Sequence, residues 1–170
     1  EEVLRKTALW LFERHPEMAN EMAGFLKKQL ARAAALSNEE RTELERQLAG
    51  FAHDPAVQQV MTDALATEAR ATRRLIFDAI AGASIKKIPT AWGKAVEAEL
   101  DGRDEAVTRA ALHAAHTLGR AAKSKAFNAA LLKLAIDSKH SAELRLGAIA
   151  AVTELSAPLD VGVFNFLNIQ

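Results

Sequence analysis

The sequence predicts an all-α fold, and within it an α-α superhelix of about five helix pairs, right-handed and filling residues 1–170 as one domain. Three observations carry this reading. About a fifth of the 170 residues are alanine, the strongest helix former, against 8 glycines, 4 prolines and no tyrosine. Apolar residues recur at three- and four-residue spacing over stretches of about 10 to 18 residues, divided by short turn signals. One pattern also returns along the chain: Leu4/Ala8/Leu11, Thr72/Ile76/Ala79, Val107/Ala111/Ala114 and Leu144/Ala148/Ala151, with Leu118 and Leu155 extending the last two. The copies are offset by 68, 35 and 37 residues, and 68 is twice 34. A period in the mid-thirties with two helices per unit marks a stack of repeats, none of which buries its apolar face alone.

Taken in order, the first helix is expected from Val3 to Arg14, with Trp10 beside its stripe. His15-Pro16 ends it, and proline opens the next, which is expected to reach Ala34 with Met18, Met22, Phe25, Leu26 and Leu30 apolar. Ser37-Asn38-Glu39-Glu40 is a capping box and starts a third helix, a divergent copy of the repeat with Leu44, Leu48 and Phe51 on its stripe. Asp54-Pro55 starts a fourth, with Val57, Val60, Met61 and Leu65. Thr67 is the expected cap of a fifth, and Pro89 opens a sixth with Trp92, Val96 and Leu100.

After the turn Asp101-Gly102-Arg103-Asp104 comes the most alanine-rich helix, 106–119. Its small residues let helix axes approach closely, so a neighbour is expected on each packed side. A partner follows from Ser124 to Asp137, with Phe127, Leu131, Leu134 and Ala135. The next helix is expected from Ser141 to Leu155, broken by Pro158, and the last begins at Val161 and runs to Leu167.

The balance of 22 Lys and Arg against 22 Asp and Glu leaves no net charge, which argues against nucleic acid or an anionic membrane as the main partner. No cysteine is present, so disulfides, thiol catalysis, Cys-ligated zinc and c-type haem attachment are excluded within this segment. No apolar run approaches the roughly 18 residues that span a bilayer. The chain opens with Glu1-Glu2-Val3, already in a helical pattern, and is read as part of a longer protein.

Candidate chemistry is thin. His113 and His116 are spaced to share a metal, but they lie off the apolar stripe and no carboxylate follows at ligand spacing, so they are expected on the solvent face. His15, His53 and His140 sit at helix ends with no recognisable nucleophile or orienting partner. Glu39, Glu40, Glu43 and Glu45 around Arg41 and Arg46 read as a solvated helix face. Arg70, Arg73 and Arg74 with Lys86-Lys87, and Arg120, Lys123 and Lys125, are basic clusters near helix ends. No catalytic, cofactor-binding or metal-binding residue is assigned. Arg5, Arg73 and Arg145 directly follow the first position of three repeat copies, and are expected to form a ladder, each pairing with a neighbouring acid or carbonyl.

The period alone would also suit tetratricopeptide repeats, but their Trp, Gly, Tyr and Pro pattern is missing. The run Leu144-Arg145-Leu146-Gly147-Ala148-Ile149-Ala150-Ala151-Val152 instead resembles a HEAT/ARM-like repeat helix. A longer context adds to this: Arg5-Lys6-Thr7-Ala8-Leu9-Trp10, His15-Pro16-Glu17, Pro89-Thr90-Ala91-Trp92 and Ala142-Glu143-Leu144-Arg145-Leu146. In that order these resemble the HEAT-like section of large bacterial proteins described as membrane-bound dehydrogenases. In that family a β-propeller precedes the repeats and a c-type cytochrome domain follows. The resemblance implies a cell-envelope or periplasmic setting and a non-catalytic scaffold that positions other domains of the parent chain or protein partners, with no cofactor of its own. The alternative is a nucleic-acid-binding module of the HEAT-like DNA-glycosylase type, which would need basic residues converging on one concave face. An enzyme in its own right would need a polar cleft.

Overall fold

A computed structural model describes residues 16–67, 69–85, 87–118 and 125–152. Among them are eight α-helices and no strand: α1 (Pro16–Leu30), α2 (Asn38–Phe51), α3 (Pro55–Leu65), α4 (Arg70–Gly82), α5 (Thr90–Glu99), α6 (Glu105–Thr117), α7 (Lys125–Ile136) and α8 (Ala142–Ala151). The expected helices Val3–Arg14 and Val161–Leu167 lie outside the described residues, as do Arg5, Trp10 and His15.

The helices alternate between two layers. The even layer runs α2, α4, α6, α8, each against the next, and the odd layer runs α1, α3, α5, α7 in the same way. Successive helices also meet across the layers at α1–α2, α2–α3, α3–α4, α5–α6 and α7–α8. The protein is therefore all-α, with packing consistent with a helical repeat, and one continuous core runs from Ala23 to Ala151.

The most extensive helix–helix contact among the described residues is between α4 and α6. Alanine is the reason: Ala110, Ala111, Ala114 and Ala115 of α6 are all buried, so nothing longer than a methyl group holds the backbones apart. Leu75, Ile76, Phe77, Ala79 and Ile80 of α4 fill the remaining volume. The Thr117 hydroxyl donates to the Ala81 carbonyl at 2.9 Å and ties the far ends of these two helices together. Gly147 does for α8 what alanine does for α6, since a Cβ there would stand 2.9 Å from the Leu112 side chain.

Local signals set most helix starts. At Ser37 the hydroxyl accepts from the Glu40 N–H at 3.2 Å and the Glu40 carboxylate accepts from the Ser37 N–H at 2.8 Å, a complete capping box. Asp54 and Asp104 each accept two backbone N–H bonds at the starts of α3 and α6, and Ser141 accepts one at α8.

Three expectations need correction. The second expected helix stops at Leu30, and Ala33–Ala35 form a separate 3-10 turn before the extended Leu36. Thr67 does not cap α4, whose N-cap is Ala69 without a side-chain bond. Its hydroxyl instead turns back and donates to the Ala64 carbonyl at 2.8 Å, closing α3. The helix that starts at Ser141 stops at Ala151, because Val152 is extended.

Candidate functional site

Helix starts on the even layer share one register position. Arg41, Arg73, Thr108 and Arg145 each stand four residues past the N-cap, at Ser37, Ala69, Asp104 and Ser141 respectively. A side chain there leans over the end of the preceding odd-layer helix or, for Arg41, the 3-10 turn that follows it, where the last carbonyls have no partner within their own helix. Three of the four use that acceptor. Arg41 donates to the Ala33 carbonyl at 3.5 Å, the Thr108 hydroxyl to the Glu99 carbonyl at 3.4 Å, and Arg145 Nε to the Ala135 carbonyl at 2.8 Å. Arg73 is the exception and forms an ion pair with the Glu99 carboxylate at the end of α5.

Glu99 is thus a junction of three helices. Its carboxylate meets Arg73 of α4, while its carbonyl accepts from Thr108 of α6 and from the Gly102 N–H at 2.8 Å. Only 7% of the side chain is exposed, against 27% for Arg73. Burial pushes the Glu99 carboxyl above the ordinary carboxylate range. The Arg73 guanidinium opposes that shift and the Asp104 carboxylate adds to it. Asp104 in turn faces Arg70 at 3.4 Å.

A second polar seam crosses the even layer further along its helices. Arg74 pairs with Asp78 at 3.6 Å. Burial raises the Asp78 carboxyl against the charges of Arg74, His113 and Arg41. Burial also raises Glu45, with the Asp78 charge adding to it. Glu45 is therefore not part of a fully solvated face, as the run of four glutamates suggests, whereas Glu39, Glu40 and Glu43 are exposed. Arg109 bridges Glu105 at 3.0 Å and Glu143 of α8 at 3.1 Å.

On the odd layer a shallow groove of about 390 Å³ lies between α5 and α7, with Ala98 and Ala130 beside Lys94, Glu97, Asp101 and Lys133. Lys133 bonds Asp101 at 2.6 Å, and this contact holds the Asp101 carboxyl below its usual range.

The remaining candidates are dispersed. His113, His116 and His53 are exposed, and His140 is half-buried, 4.0 Å from Asp137. Among the described residues no group of three or more His, Asp or Glu is placed to hold a metal ion. Trp92 is fully buried and its indole donates to Thr62 of α3 at 3.0 Å. The arginines of the 70–74 cluster each face a carboxylate, at Asp104, Glu99 and Asp78. Lys86, Arg120 and Lys123 lie outside the described residues.

Sequence reasoning missed Glu99 and the place of Arg41 in the register row, while Thr108 directly follows Val107 as Arg73 follows Thr72 and Arg145 follows Leu144. Glu99 carried a signal: seven residues after Trp92, it falls on the Trp92/Val96 stripe, and an acid on a buried stripe requires a partner. Arg41 would have been found by aligning the repeats on their N-caps rather than on their apolar residues.

No family model, curated protein or solved structure matches the chain.

Proposed function

We propose that the chain is a non-catalytic HEAT-like scaffold that holds other domains of a larger envelope-associated dehydrogenase, or protein partners, at a fixed separation. One observation carries the reading: ion pairs act as braces between helices. Arg73–Glu99 joins α4 to the end of α5, Arg70–Asp104 joins α4 to the start of α6, and Arg109–Glu143 joins α6 to α8. Residues used this way stiffen a stack of helix pairs, and stiffness is what a spacer contributes. The dehydrogenase setting rests on the sequence resemblance alone.

The nucleic-acid alternative draws its appeal from the basic cluster 70–74. Carboxylates already face each of its three arginines, which leaves little positive potential for phosphate.

Two measurements test the proposal. In the parent protein, residues 16–152 are replaced by a flexible linker of the same span. Reduction of its cytochrome haem by substrate is then expected to fall by about tenfold or more, as the effective concentration of one domain at the other drops. Turnover with a soluble dye as acceptor should stay unchanged. Undiminished haem reduction in the linker variant, or a reading frame without propeller and Cys-x-x-Cys-His segments, removes the dehydrogenase assignment. Separately, anisotropy with labelled duplex and single-stranded DNA at about 50 mM salt is expected to show no saturable binding. Salt-sensitive binding would replace the scaffold by the nucleic-acid module.

A further inference from the structure

The register row raises a specific question: why does Arg73 leave the acceptor that its counterparts use? The answer is Thr67. Its hydroxyl and its backbone N–H both reach the Ala64 carbonyl, at 2.8 Å and 3.2 Å, and the Ala66 N–H takes the Asp63 carbonyl at 3.2 Å. The end of α3 is therefore already closed when Arg73 arrives. No comparable hydroxyl caps Ala33 or Ala135, and there Arg41 and Arg145 make the bond.

The forward position of Arg73 is incompletely satisfied. Its Nε–H is buried and has no acceptor, although the guanidinium pairs with Glu99. A buried donor without a partner is costly, which weakens the hold of this position on the side chain.

We propose that Arg73 is a two-position latch. On the ionised Glu99 carboxylate it ties the start of α4 to the end of α5. When Glu99 carries no charge, it returns to the closing carbonyls of α3, the acceptor that Arg41 and Arg145 use on their own preceding helices. The backbones of α4 and α5 do not pack closely on each other, and this ion pair is one link between them. Its release frees the corner 99–104, while the alanine contact of α4 with α6 stays in place.

The charges facing Glu99 are few. Arg73 faces it from α4, and Asp104 from the turn into α6, itself held by Arg70. From α6 comes the uncharged Thr108 hydroxyl. On α3, Asp63 accepts from Gln59, and on α7, Lys133 is bound to Asp101. Acid thus acts on the latch through Glu99, the buried carboxyl that pairs with Arg73.

The test is nitrogen-15 NMR of the arginine Nε–H groups, with amide hydrogen exchange of residues 100–108, on the whole chain between about pH 7.5 and 5. Acidification is expected to move the Arg73 resonance and to speed exchange at the corner by about tenfold. Glu99→Gln should show the acid form already at pH 7.5 and lose the response. Thr67→Val removes the hydroxyl from the Ala64 carbonyl and leaves only the backbone N–H there, which favours the return position and should move the transition to higher pH. An Arg73 resonance that ignores pH, or a response that survives in Glu99→Gln, overturns the latch. If Glu99→Gln does not fold, Thr67→Val decides alone: an unmoved transition overturns it.

Discussion

The indole of Trp92 on α5 donates to the hydroxyl of Thr62 on α3 at 3.0 Å, and that hydroxyl donates onward to the Gln58 carbonyl at 2.8 Å. Trp92 is the largest fully buried side chain among the described residues, so its one polar atom is satisfied through a residue of the neighbouring odd-layer helix. Thr62→Val keeps the shape and removes the acceptor. It is expected to destabilise the fold by about 1–3 kcal/mol, the cost of an unpaired buried donor, measured as a lower urea midpoint with an unchanged slope.

Gly102 and the helix-interior glycines should respond in opposite directions to alanine. A Cβ at Gly102 would stand 2.8 Å from the Glu99 carbonyl oxygen and would also press on the Glu99 carboxylate, so neither backbone nor ion pair can give way easily. Gly102→Ala is expected to cost about 1–3 kcal/mol. Gly24 in α1 and Gly50 in α2 have open space where a Cβ would go, and alanine there should add about 0.5–1 kcal/mol. Thermal melts of the three variants compare the signs directly.

Stability should rise on mild acidification. The carboxyls of Glu45, Asp78 and Glu99 are all raised in the folded chain, chiefly by burial. A raised carboxyl binds its proton more tightly when folded. Its contribution is full below the unfolded carboxylate range and is lost as pH climbs through the folded value. Between the raised values and about pH 7, the chain therefore carries these charges at a cost. Asp78→Asn is expected to raise the urea midpoint near neutrality and to flatten its change between about pH 7.5 and 5.5. A midpoint that falls steadily over that range in the unsubstituted chain would contradict the assignment.

Asp54 accepts from the Ala56 and Val57 N–H groups at 2.8 and 3.1 Å and so begins α3. Asp54→Ala should cost about 0.5–2 kcal/mol, and Asp54→Ser much less, because serine supplies the same acceptor. Equal losses in the two variants would show that the carboxylate acts through its charge and not as a cap.

What the sequence made legible was whatever is decided within one turn of helix. Ser37 with Glu40, Asp54 with Pro55, and Pro89 before Trp92 announce helix starts because their partners lie three or four residues away. The alanines of α6 announced close packing for the same reason. Thr67 was misread because a hydroxyl between two helices can close the first or open the second, and only the geometry of the turn chooses. The partner of Arg73 lay further off, since it depends on a loop that brings Glu99 back beside the start of α4. The end of α8 at Ala151 was equally hidden, as Val152 and Thr153 carry no breaker.

The alanine contact between α4 and α6 also sets how the chain would answer a pull. Along the even layer each helix packs on the next, so force applied along that layer reaches its interior through one contact after another. The contacts α2–α4 and α6–α8 are smaller and would part first. The α4–α6 contact is the most extensive in the layer, and Thr117 on Ala81 closes its far end. Under tension the chain would peel from both sides toward this centre, which would be the last to let go.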